Sequence, residues 1–296
     1  MERDEGRILT DEILLEIEKE IRRTFAAASV ELMQTIDEHF AKLADKDREM
    51  QLLLEAGKIT AEQVRNCVLA HRADESFEHT VQPKMVYISN PTELGTLYTR
   101  RELEALHRVC GELGLYLFLD GARLGYGLAA NGNDVTMPDL AKFCDVFYIG
   151  GTKVGAMFGE AVVISNPALK EDFRYLIKQH GGMLAKGRLL GVQFEALLED
   201  GLYFEISGHA DAMADRIRSC LAENHVPLLV RNETNQIFPI LPDDVLAELK
   251  KRFVFSEQCR VDDGHRAVRF CTSWATKPEN VDALCRELEK LLARQA

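Results

Sequence analysis

An α/β protein with a helical N-terminal arm and a smaller α+β C-terminal part is what this sequence predicts, on three observations. Residues 1–55 hold one glycine, no proline and 23 charged side chains, whereas every proline and the other nineteen glycines lie at 57 or beyond. From Gly57, short apolar runs alternate with segments of helical period, the order that parallel β-α-β crossovers produce. From about Gly201 the alternation loosens into a long helix followed by strands and helices in mixed order. The expected divisions are therefore 1–55 for the arm, 56–200 for a large domain and 201–296 for a small one.

In the arm, Thr10-Asp11-Glu12 can cap a helix whose apolar positions are Ile13, Leu14, Ile17 and Ile21. Ser29 can cap a second, with Leu32, Ile36, Phe40 and Leu43 on one stripe. Such a pair packs on its own domain or on a partner and carries no visible chemistry. Strands are expected at Met85–Ile88, Leu115–Leu119, Val146–Ile149 and Ala161–Ile164, with a helix over Arg101–Leu113. In the C-terminal part a helix is expected over Phe204–Glu223, strands at Leu228–Val230 and Gln236–Leu241, then a helix, the strand Val268-Arg269-Phe270 and a last helix over Pro278–Leu292.

Forty-eight acidic against 36 basic side chains leave a net charge of −12, and no basic stripe interrupts that field, so nucleic acid is not an expected partner. No apolar run approaches the roughly 20 residues that span a bilayer, and the first residues lack a signal-peptide core, so a cytoplasmic protein without a membrane partner is expected. The seven cysteines are odd in number and never form C-x-x-C. They read as reduced core thiols, with neither a disulfide framework nor a bound metal.

Polar residues at strand ends carry the functional reading, because open parallel sheets bind ligands just beyond the carboxyl ends of their strands. Leu117-Phe118-Leu119 runs into Asp120-Gly121-Ala122-Arg123. An acid directly after three large apolar residues is expected to lie deep and to need a partner; a helix N-cap or a pair with Arg123 would also satisfy it. The next strand ends in Gly150-Gly151-Thr152-Lys153, a sharp turn that projects a lysine between apolar neighbours, where desolvation favours the neutral amine. A lysine to hold an aldehyde and an acid to keep a pyridine nitrogen protonated are the two groups that pyridoxal 5′-phosphate requires.

Three segments, Asn90-Pro91-Thr92-Glu93-Leu94-Gly95-Thr96, Phe118-Leu119-Asp120-Gly121-Ala122-Arg123-Leu124 and Phe147-Tyr148-Ile149-Gly150-Gly151-Thr152-Lys153, resemble the signatures of the L-threonine aldolase and aromatic amino acid β-eliminating lyase family. The resemblance runs from about Gly57 to the C-terminus. It implies the aspartate-aminotransferase fold type, with a mostly parallel seven-stranded sheet in a large domain, incomplete here, and a small domain closing over a small amino acid substrate. It further implies a Schiff base on Lys153, a salt bridge from Asp120 to the pyridine nitrogen, and Arg123 and Arg269 near the substrate carboxylate, with Arg123 also counted with Lys153 and Asp120 among the cofactor-binding residues. Cleavage of a β-hydroxy amino acid to glycine and an aldehyde, in a homodimer or homotetramer, follows from the same resemblance.

That family cradles the cofactor phosphate in a glycine-bearing turn at a helix N-terminus. Residues 1–55 offer only Gly6, and His39 stands without the context of a ring-stacking residue, so weak cofactor binding is expected. Gly181-Gly182 and Gly187 are a substitute anion loop or a plain connection. His71 and His79 are candidates for the base that accepts the β-hydroxyl proton. The alternative to the lyase is a truncated relative serving as a non-catalytic subunit or binding partner.

Overall fold

Thr60 caps the first helix of the computed structural model, which describes residues 57–294. Its hydroxyl accepts the Gln63 amide and the Gln63 side chain bonds back, fixing α1 at Ala61–Ala73. The helical arm expected over residues 1–55 lies outside the described residues. The same capping box, built from Thr99 and Glu102, starts α2 at Arg100–Leu113. Leu103, Leu106, Cys110 and Leu113 recur every three or four residues on its buried face.

Strands β1 (Met85–Ser89), β2 (Tyr116–Asp120), β3 (Val146–Gly150) and β4 (Glu160–Ile164) lie in that order in one sheet among the described residues. The first three run parallel and β4 is antiparallel to β3. Between β2 and β3 stand α3 (Leu124–Ala129) and α4 (Met137–Phe143). Register pairs Ser89 with Asp120, so the carboxyl ends of β1 and β2 finish level. Leu117 and Leu119 point into the core with no exposed surface, each contributing about 2 kcal/mol of burial. The other face of the sheet presents Met85, Tyr87, Tyr116 and Val162, each more than two-fifths exposed.

After α5 (Phe173–Gln179) and α6 (Arg188–Leu198) comes α7 (Leu202–Glu223), which joins two apolar cores. Its Tyr203 and Ala210 pack with the first sheet, while Met213, Ala214, Ile217 and Leu221 pack with the second. That second sheet is antiparallel: β5 (Gln236–Ile237) and β6 (Ile240–Pro242) pair with β8 (His265–Cys271), as does β7 (Ser256–Arg260). The helices α8 (Asp243–Leu249) and α9 (Pro278–Leu292) cover it with Val245, Leu249, Val281 and Leu288.

Three sequence expectations are corrected. The strand expected at Leu228–Val230 is a single bridge, Leu228 to Pro239. The strand expected over Gln236–Leu241 breaks in two, because Pro239 has no amide to donate and serves only through its carbonyl, 3.0 Å from the Val268 amide. Of the seven cysteines, all free, Cys110, Cys144 and Cys220 are core thiols, but Cys67, Cys259 and Cys271 are exposed.

Candidate active site

Asp120 ends β2 at the sheet's carboxyl edge, half-buried rather than deep. Its carboxylate accepts the Ala122 amide at 2.9 Å and a bond from the Tyr87 hydroxyl on β1; the Tyr148 hydroxyl on β3 bonds to it as well. Burial alone would raise its pKa, yet the bonds from Tyr148, Tyr87 and Ala122, with the nearby charge of Lys153, hold the carboxyl below its ordinary value. The two tyrosines pay the reciprocal effect: burial first, then the bond to Asp120, pushes both phenols up. An ionised acid at the sheet's carboxyl edge is the result.

Two glycines bring the neighbouring strand end against it. The Gly150 amide bonds the Gly121 carbonyl at 2.9 Å, and a Cβ on either glycine would fall on backbone oxygen of the other strand. Past this contact Gly151 and Thr152 donate to the Glu160 carboxylate at 2.6 and 2.9 Å, holding the turn. Val154 is wholly buried and anchors one side of it, which turns Lys153 outward. Lys153 is therefore exposed, contrary to the desolvated pocket expected from its neighbours. The Tyr126 hydroxyl bonds its backbone carbonyl, so the lysine's main chain is pinned while its amine is free to reach.

Arg123 follows Asp120 but does not pair with it. Its Nη1 lies 3.2 and 3.3 Å from the two oxygens of Glu93, in the loop after β1. Arg269, half-buried on β8, donates from Nη1 to Gln236 Oε1 at 3.4 Å. Gln236 is fully buried, and its Nε2 donates to the Glu93 carbonyl at 3.2 Å, tying the loop after β1 to the second sheet. Cys271 sits beside this amide at 3.8 Å; although the residue is exposed at the end of β8, desolvation of its thiol pushes the pKa up despite the charges of Arg269 and Arg123. Its surroundings also include Glu93 and Lys153, so residues from both sheets converge on one place.

The histidines expected as bases are elsewhere. His71 and His79 stand at the amino end of β1, where the ring of His71 contacts Thr80 at 3.1 Å and the edge of Phe77. That is the end opposite Asp120, since the chain runs from them into β1 and away. The Gly181–Gly187 segment bonds to the end of α5 and to itself: Gly182 donates to Ile177 at 2.8 Å and Gly187 to Leu184 at 3.1 Å. Residues the sequence reading did not single out are Tyr87, Tyr148, Glu93, Gln236 and Cys271. Strand alternation puts Tyr87 and Tyr148 each on one face of its strand, and the sheet register makes that the Asp120 face.

A family model for β-eliminating lyases matches residues 16–243. The chain belongs to the β-eliminating lyase family. The match begins at residue 16, ahead of Gly57, from which the sequence resemblance was expected to run. The low specificity L-threonine aldolase of a Pseudomonas species is 32% identical over 244 residues, covering 81% of this chain and 67% of that protein. A threonine aldolase structure from Leishmania major shares 44% identity at a TM-score of 0.77, over 80% of this chain and 68% of that one. The aspartate aminotransferase of Thermus thermophilus, 18% identical with a TM-score of 0.55 over 79% and 60%, shows the same fold.

Members of this lyase family and fold depend on pyridoxal phosphate, and the residues at the strand ends suit that group. An ionised Asp120 can face a protonated ring nitrogen, and an exposed Lys153 amine within its electrostatic reach can meet an aldehyde. The bare backbone at Gly121 and Gly150 keeps side chains out of the space between them. No group of three or more metal-ligating side chains occurs among the described residues, and none of their helices is long and apolar enough to cross a membrane.

Proposed function

We propose that this chain is a threonine aldolase-type lyase that cleaves a β-hydroxy amino acid to glycine and an aldehyde with pyridoxal 5′-phosphate. One observation carries the reading: Asp120, held ionised, and Lys153 share the carboxyl edge of adjacent strands, with Arg123 and Arg269 beside them. When bound, the cofactor draws electrons from the bond between Cα and Cβ. Lys153 would supply the amine that holds the cofactor aldehyde. Asp120 retains the proton on the ring nitrogen, the charge that makes the ring an electron acceptor. Arg269 gives the substrate carboxylate a planar fork, which a lysine could not reproduce. In the same proposal residues 56–200 carry the cofactor and 201–296 form the smaller domain.

Borohydride reduction of the cofactor-loaded protein followed by peptide mapping tests the central assignment. The expected label is on Lys153. Label on Lys84, Lys142 or Lys186 instead would remove it.

A further inference from the structure

We propose that Tyr87 and Tyr148 are positioning residues: bonded to the Asp120 carboxylate from the two flanking strands, their hydroxyls aim it and keep the proton it shares with the cofactor on the ring nitrogen instead of on the acid. The inference rests on the reading of Asp120 as the partner of that nitrogen.

The sheet itself brings the three side chains together. Tyr87 pairs with Phe118 across β1 and β2, and Phe118 pairs with Val146 across β2 and β3, so two residues further on Tyr148 stands beside Asp120. Tyr87, Phe118, Asp120 and Tyr148 therefore share one face. Phe118 is a wedge between the phenols: the Tyr87 ring stacks on it at 5.3 Å with the planes 10° apart, and the Tyr148 ring meets it at 5.9 Å and 65°. Offset and edge contacts of this kind fix where each ring lies, and so the direction from which each hydroxyl reaches the acid. The Tyr87 hydroxyl bonds Oδ2 and the Ala122 amide Oδ1. The Tyr148 hydroxyl bonds the carboxylate and Tyr87 as well, closing the cluster.

A carboxylate and a pyridine nitrogen share one proton, which rests on whichever is the more basic. A phenol donates far better to the ionised acid than to the protonated one, so each of these bonds makes Asp120 a weaker base and moves the shared proton toward nitrogen. Half-burial acts the other way and would draw the proton onto an unaided acid. The charged neighbours agree with the phenols: Lys153, just past β3, favours the ionised carboxylate, and Glu93, after β1, acts on Tyr87 and helps keep that phenol a donor. Both phenols are pushed up and so stay protonated where the acid is ionised.

An NMR titration of the full, cofactor-free chain, labelled at its aspartate carboxyls, reads Asp120 directly as the signal missing from Asp120→Asn. Tyr87→Phe and Tyr148→Phe keep the rings and lose only the hydroxyls; each is expected to raise the Asp120 midpoint by about 1 pH unit. In the loaded protein, cofactor labelled at its ring nitrogen should report a protonated ring in wild type. The double variant is expected to move that signal toward the neutral ring and to lower kcat about 10-fold. Unmoved Asp120 and ring signals, with only a lower urea midpoint, would show a merely structural role. Tighter cofactor binding in the double variant would show that the phenols compete with the ring for Asp120. Both overturn the proposal. Asp120→Asn separates it from the reading beneath: if the ring stays protonated in that variant, the nitrogen has another partner, whatever the tyrosine variants do.

Discussion

Asp120 shows how a strand neighbour decides what a side chain can do. A carboxylate at a sheet edge could cap a helix or pair with the next arginine, but here two phenols from the flanking strands and one amide bind it, and Arg123 turns to Glu93. Asp120→Asn keeps the shape and removes the charge, so the variant is expected to retain cofactor bound to Lys153 yet lose about 100-fold or more in kcat. Steady-state kinetics beside an absorbance spectrum of the loaded protein measure both; near-full turnover would place the ring-proton role in another residue. Asp120 and Lys153 were legible in sequence because each terminates an apolar run and sits in a recognisable segment. Tyr87 and Tyr148 were not singled out, because their meaning depends on which strands stand next to β2. The exposure of Lys153 was misread for a similar reason: Val154, not the lysine, takes the buried side of the turn.

Among the elements, α7 carries a group the chemistry does not use. Asp211 is 5% exposed, and both its carboxylate oxygens are buried without a hydrogen bond among the described residues. Burial raises its pKa to about 8, against the pull of the Arg218 charge and with a further push from Asp215; Tyr126 also senses its charge. Arg218 itself is shared with Asp215, at 3.3 Å, and with the charge of Glu233. A carboxyl that titrates near 8 when folded and near 4 when unfolded binds more protons in the native state between those values. Stability therefore falls as pH rises from about 4 to about 8, by up to about 1.4 kcal/mol per pH unit, and levels off above. Asp211→Asn removes that loss, so urea midpoints at pH 5, 7 and 9 should show the variant gaining steadily on wild type. Parallel profiles would mean that Asp211 is already satisfied or does not titrate in this range. The apolar period of α7 was readable over nearly its whole length, as was that of α9. Strand β7 was not: Ser256-Glu257-Gln258-Cys259-Arg260 is exposed at every position, so no alternation marks it.

For the molecule as a whole, the two cores communicate through α7 and through one loop. Asn232, Thr234 and Gln236 reach carbonyls between 138 and 143 residues away in sequence, a pairing that no local pattern announces even though both segments can be read separately. Gly95 is the tightest point of that contact. Its φ of +76° is disfavoured for any L side chain, and a Cβ would stand 2.6 Å from Thr234 Oγ1 and 2.9 Å from Asn232 Nδ2. Gly95→Ala is therefore expected to cost about 1–3 kcal/mol from the backbone alone. Because the displaced loop carries the Glu93 carbonyl that Gln236 grips, Arg269 loses its support as well, and KM for threonine should rise more than kcat falls. Gly111→Ala makes the same chemical change inside α2, where nothing lies within 4 Å, and is expected to be neutral or to stabilise by up to about 1 kcal/mol. Urea unfolding and steady-state kinetics on the pair separate the contact from the methyl group. If Gly95→Ala behaved like Gly111→Ala in both, the loop would not be transmitting position between the sheets, and Arg269 would owe its placement to β8 alone.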